Sequence, residues 1–178
     1  MRKINTILSV LLVVIFLLHG MMGGALLLGV ESSAAKILAR FGVIVLLAHI
    51  VIGVILTVKS LQSSKDSGDP YLKENAVFWA RRASGFAILI TMFFHFGVFG
   101  TIEDGVYILF PFTTVKLLTQ LLLVAAVFTH LSLNVRPLLV SLGIVSDGRQ
   151  RGVIYLVLSL WVLFCAAALI VYYIGWQA

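Results

Sequence analysis

The sequence predicts an all-α, polytopic membrane protein with five transmembrane helices in a single domain over residues 1–178. Composition is the first reason. The chain is 61% hydrophobic and 11% charged, with mean hydropathy +1.13; a water-soluble domain of this size has too little interior for that much apolar surface. Second, the apolar residues gather into five runs, about Ile7–Val30, Phe41–Val58, Ala83–Thr101, Thr114–Leu133 and Val153–Ile174. Each is close to the roughly 20 residues that cross a roughly 30 Å hydrocarbon core as a helix. Third, with the N-terminus inside, ten of the thirteen Lys and Arg lie on the inner side and only Lys36, Arg40 and Lys116 on the outer. That bias predicts a multi-pass protein of the cell (inner, cytoplasmic) membrane, N-terminus cytoplasmic and C-terminus outside. The net charge of +6 follows topology, and lipid rather than nucleic acid is the expected surrounding.

The first run follows a basic N-terminus, as a signal peptide would. It is too long for a usual signal core, and cleavage near Gly24 would discard His19, so it is read as an uncleaved helix. The second run begins after Arg40 and stops at Lys59. Ser60–Asn75 is the one long polar stretch, with Asp69-Pro70 marking a turn; it reads equally as a solvated connector or a contact for a soluble partner. The third run opens with Arg81-Arg82 and leaves the membrane at Thr101. Beyond it stand Glu103 and Asp104, then Tyr107, Phe110 and Phe112 at interface level. Pro137 ends the fourth helix or starts a new turn. Leu138–Val145 is apolar but too short to span, and reads as a surface-lying segment. The fifth run ends in Tyr172, Tyr173 and Trp176.

All four histidines lie inside apolar runs, one in each of the first four: His19, His49, His95 and His130. An imidazole in hydrocarbon is costly and turns toward a protein interior, an ion path or a cofactor. Four of them on successive helices make two pairs, and a haem with both axial positions filled by protein needs such a pair. At 1.5 Å per residue, His95 and His19 each stand roughly 20 Å from the cytoplasmic edge, His49 roughly 15 Å and His130 roughly 9 Å. The pairing predicted is His19 with His95 and His49 with His130, as axial ligands of two b-type haems. The fold expected is therefore a haem-binding four-helix bundle plus one peripheral helix, the fifth, which has no histidine.

Small residues favour room for a macrocycle. Gly23 and Gly53 stand four positions after His19 and His49, and Ala126 and Thr91 four before His130 and His95, on the same helix faces. Thr91 or a backbone carbonyl is expected to hold a free imidazole N–H. A proton or metal transporter would carry intramembrane carboxylates, and no Asp or Glu lies in any run. The single cysteine, Cys165, excludes a disulfide framework, an iron–sulfur ligand set and covalent haem attachment. No nucleotide or flavin motif and no acid–base constellation is present, which points to a subunit that carries electrons rather than a self-sufficient enzyme.

The segment Phe78-Trp79-Ala80-Arg81-Arg82-Ala83-Ser84-Gly85, followed by His95, resembles the first histidine-bearing helix of succinate dehydrogenase and fumarate reductase cytochrome b subunits, the di-haem membrane anchors. Those helices start with a basic residue and an R-x-S-G type element, here Arg82-Ala83-Ser84-Gly85. The resemblance covers residues 78–97. It implies two haem b groups, a quinone substrate (often menaquinone), and partner flavoprotein and iron–sulfur subunits. It also makes Arg82 and Ser84 candidates for haem-propionate or quinone contacts. Arg81 reads as a membrane-edge anchor or a quinone contact, and Glu103 and Asp104 as candidates for proton uptake at an outer quinone site. The order differs from the family, whose ligand-free helix is the third rather than the fifth. The function expected is the membrane anchor of a succinate:quinone or quinol:fumarate oxidoreductase. The alternatives are the cytochrome b of a hydrogenase, formate dehydrogenase or ferric reductase, and a haem-free transporter or scaffold.

Overall fold

A computed structural model describes residues 1–30, 34–66, 76–103, 106–144 and 148–178. It contains five helices long and apolar enough to cross a membrane: α1 (Arg2–Leu27), α2 (Ala34–Asp66), α3 (Ala76–Phe93), α4 (Thr114–Ser141) and α5 (Gly148–Gln177). The protein is an all-α, polytopic membrane protein, as its hydropathy predicts.

The helix ends obey the rule that backbone groups near lipid must find partners inside the chain. After α1, Gly29 adopts φ +92°, and the Gly29 and Val30 amides donate back to the Leu26 and Ala25 carbonyls. After α4, Gly143 at φ +76° does the same, with Gly143 and Ile144 donating to Val140 and Leu139. Both are Schellman closures, which need a residue tolerant of the left-handed region. At the start of α4, the Thr113 hydroxyl accepts from the Lys116 amide at 3.4 Å, an N-cap.

Most helices extend beyond the predicted apolar runs, α1 starting at Arg2, α2 at Ala34 and α5 at Gly148, and three other boundaries change the reading. α2 runs on to Asp66, so the first part of the polar stretch is helical, and residues 67–75 with Asp69-Pro70 lie outside the described residues. α4 passes through Pro137 and ends at Ser141, so there is no separate surface segment over Leu138–Ser141; the Leu133 carbonyl, which Pro137 cannot serve, takes its hydrogen bond from Arg81 of α3. α3 begins at Ala76 and stops at Phe93, not Thr101. There the His95 amide turns back to the Met92 carbonyl at 2.9 Å, and Gly97 at φ +67° redirects the chain. It enters an antiparallel hairpin, β1 (Gly100–Glu103) and β2 (Val106–Leu109), with Gly100 opposite Leu109 and Glu103 opposite Val106. Open sheet edges do not occur in hydrocarbon, which puts this hairpin at the water side of α3.

The core sits where it was not expected. α5, predicted to be peripheral, packs on both α1 and α4 and buries Leu158, Trp161, Cys165, Ala168 and Leu169. Without a polar ligand to present, it is free to be apolar and tightly seated. The Trp161 indole lies against Gly20, where a Cβ would overlap the ring, and its Nε1 donates to the Leu17 carbonyl at 3.0 Å. Gly24 likewise gives way to the Phe164 ring. α2 flanks α1 and α3 flanks α4. Among the described residues, α2 brings no Cα within 8 Å of α3, α4 or α5, nor does α1 approach α3 so closely. The described residues form two hairpins, α1–α2 and α3–α4, that touch along α1 and α4, are braced by α5, and are open between α2 and α3.

Candidate functional site

Among the described residues, the helix pairs that do not pack include α1 with α3 and α2 with α4, along which the histidines are expected to pair. His19 of α1 and His95, in the turn just after α3, meet across the opening with ring centroids 5.9 Å apart and planes at 84°. His49 stands on α2 and His130 on α4, helices that bring no described Cα within 8 Å of each other. All four rings are partly buried.

The first pair faces a cavity of about 940 Å³ between the hairpins. His19, Gly23, His95, Gln120, Trp161 and Tyr172 contribute to its wall. At its end nearest the β1–β2 hairpin stands an aromatic stack: Phe99 lies parallel to Phe112 at 5.4 Å, and Tyr172 packs edge-on to both at 6.0 and 5.1 Å. His95 joins this stack through Phe99 at 6.1 Å. A Cβ added at Gly23 or at Gly53 would meet no heavy atom within 4 Å. Gly20 and Gly24 are packing glycines, whereas Gly23 leaves space.

Each pair joins a held ring to a free one. His95 Nδ1 lies 2.7 Å from Gln120 Oε1, and His130 Nδ1 lies 3.0 Å from Ser84 Oγ. His19 Nδ1 and His49 Nδ1 are buried without a hydrogen-bond partner. A buried unpaired polar atom costs about 1–3 kcal/mol, and a metal bond or a ligand contact offsets that.

Ser84 and Gly85, the end of the R-x-S-G element, serve His130 rather than His95. The Ser84 side chain contacts the His130 ring while its hydroxyl also reaches the Arg81 carbonyl at 3.0 Å. A Cβ on Gly85 would stand 3.3 Å from His130 Cε1. Asn134 donates to the His130 carbonyl at 2.7 Å. Arg81 Nε donates to the Leu133 carbonyl at 3.0 Å, the acceptor that Pro137 leaves without its helical N–H. Arg82 lays its guanidinium over the Phe78 ring at 3.5 Å and donates to the Phe78 carbonyl at 3.3 Å, while its Nε stays buried and unpartnered.

Thr91 does not hold an imidazole. Its hydroxyl is turned to its own helix, 2.9 Å from the Ala87 carbonyl and 3.1 Å from that of Ile88, because hydroxyls in lipid default to the nearest backbone acceptor. Gln120 does that work for His95, and sequence reasoning passed over it. The signal was available: an amide inside an apolar run must be satisfied by protein. Glu103 ends β1, with its side chain outside the described residues, and Asp104 lies outside them altogether.

The donor chemistry is that of imidazole pairs. Among the described residues, no three of His, Cys, Asp and Glu come together. A bare metal ion normally takes about four protein donors, whereas a porphyrin fills four equatorial positions and asks for two. Two metal–nitrogen bonds of about 2 Å, plus about 1 Å from each nitrogen to its ring centre, place opposed imidazole centroids about 6 Å apart. The residues at His19 and His95 fit a haem in spacing, in adjoining space and in donor type. No known protein family, curated protein or solved structure matches the chain.

Proposed function

We propose that the protein is a di-haem, b-type membrane cytochrome that serves as the anchor subunit of a succinate:quinone or quinol:fumarate oxidoreductase. The observation that carries the reading is the meeting of His19 and His95 at 5.9 Å across two helices that do not otherwise pack. His19 and His95 would hold one haem iron, His49 and His130 a second. Bound there, haem supplies reversible one-electron transfer, with potentials tuned by the axial rings and their hydrogen bonds.

The chain's own residues then have separable tasks. The four imidazoles ligate, and Gly23 and Gly53 keep the approach open. Arg82, with an unpartnered Nε beside the membrane edge, offers a charged contact for a propionate or a quinone oxygen. Ser84 holds His130, which leaves Arg82 as the better candidate for that contact. The R-x-S-G segment supports a quinone (menaquinone or another) as redox partner and flavoprotein and iron–sulfur subunits on the cytoplasmic side. The charge bias of the connecting segments supports a cytoplasmic N-terminus in the cell membrane.

An absorption spectrum of the protein purified from cells with ample haem tests the core of the reading. Reduced b-type bands and two haems per chain are expected; their absence sinks it. Assaying the co-purified complex for succinate oxidation and fumarate reduction separates the succinate/fumarate assignment from the cytochrome b of a hydrogenase, formate dehydrogenase or ferric reductase.

A further inference from the structure

Among the described residues, Gln120 is the most deeply buried polar side chain, at 2% exposure. An amide in a membrane brings two donor hydrogens and an acceptor oxygen that lipid cannot satisfy. All are used. Nε2 donates to the Phe94 carbonyl at 2.9 Å and to Thr119 Oγ1 at 3.3 Å. The Phe94 contact has a cause in the fold. α3 stops at Phe93, so the carbonyls at its end lack the next turn's amides, and Gln120 reaches over from α4 to take one.

That anchorage fixes which way round the amide lies. Turned over, Oε1 would face the Phe94 carbonyl oxygen, acceptor against acceptor. Oε1 is therefore the atom 2.7 Å from His95 Nδ1. A carbonyl oxygen only accepts, so Nδ1 must carry a proton. With one proton on the ring, Nε2 then holds the lone pair. The hydroxyl on His130 is less constrained, because the single proton of Ser84 can go to the Arg81 carbonyl or to His130 Nδ1.

We propose that Gln120 is the positioning residue of His95: it caps the end of α3, holds His95 in the Nδ1–H tautomer, and so presents Nε2 to a metal shared with His19. The tautomer stands on the amide geometry alone; the identity of that metal as haem iron rests on the function proposed above. A hydrogen bond from the far nitrogen of a ligating imidazole also raises its donor strength, so Gln120 sets a potential as well as an orientation.

Nitrogen-15 NMR of histidine-labelled full-length chain from haem-starved cells, in lipid nanodiscs, reads the tautomer directly, with the His95 signal identified by its loss in His95→Ala. Wild type and Gln120→Glu, which keep an acceptor, are expected to show His95 protonated on Nδ1. Gln120→Leu, checked for unchanged helicity and elution, is expected to lose that preference. An Nε2–H tautomer in wild type, or an unchanged tautomer in a folded Gln120→Leu, overturns the proposal. Should Gln120→Leu fail to fold, redox titration of haem-loaded Gln120→Glu decides. One of two midpoint potentials is expected to fall while the other stays, and two unmoved potentials overturn it. Wild type without b-type bands refutes the haem reading, and the NMR result still decides the role of Gln120.

Discussion

Arg81 and Leu133 are joined by a hydrogen bond that exists because of a third residue. Pro137 has no N–H for the Leu133 carbonyl, and Arg81 reaches from α3 to α4 to supply one at 3.0 Å. The bond cross-ties the two helices one turn from His130, so a defect in α4 becomes the point at which α3 is fastened.

From this follows a coupling. Arg81→Ala is expected to destabilise the folded protein by about 1 kcal/mol, the scale of side-chain hydrogen bonds in membranes. In a Pro137→Ala background the Leu133 carbonyl recovers its helical donor, and the Arg81 substitution is expected to cost much less. A double-mutant cycle of unfolding in mixed micelles measures the difference; strict additivity refutes the relationship.

The glycines divide into two kinds. Gly20→Val forces a side chain into the Trp161 indole and is expected to cost at least the usual 1–3 kcal/mol or so of overpacking. Gly23→Leu meets open space and is expected to leave thermal stability near wild type while lowering haem content. Melting temperature and haem-to-protein ratio, read on both variants, should move in opposite patterns.

Loss of a ligand should be specific to its pair. His95→Ala is expected to remove about half the haem, His130→Ala about the other half, and the double variant nearly all, because a six-coordinate haem needs both imidazoles. Full haem retention in either single variant rules out that residue as a ligand, and haem quantitation per chain provides the number.

Ser84→Ala separates the two centres from the other side. It removes the contact to His130 Nδ1 and touches nothing at His95, so only one of the two low-spin ferric signals in electron paramagnetic resonance is expected to shift. Gly85→Val, which would press on the His130 ring, should affect the same signal.

The sequence made the fold plain wherever lipid is the solvent. A run such as Val153–Ile174 has no alternative to a spanning helix, since water is absent and the backbone must bond to itself. The four histidines were conspicuous for the same reason. Hidden were the features set by tertiary partners. Nothing local says that α3 stops at Phe93, because the cost of ending early is met by Gln120, 26 residues away from Phe94. Along the chain the R-x-S-G element reads with His95, whereas its serine and glycine pack on His130 in space. α5, without a histidine, reads as peripheral, although a helix without polar duties is the best filler for a core. Thr91 shows the limit of counting faces, since a hydroxyl near its own backbone seldom reaches farther.

α5 follows the other four helices in the chain, yet it is the brace that holds α1 beside α4 through Trp161. A nascent protein therefore displays His19 and His49 on one hairpin and His95 and His130 on another, touching along α1 and α4, before α5 braces the gap between them. The spacing of His19 and His95 is completed by a helix without histidine, so in the proposed cytochrome a break late in α5 is expected to appear in the cell as a failure to retain haem.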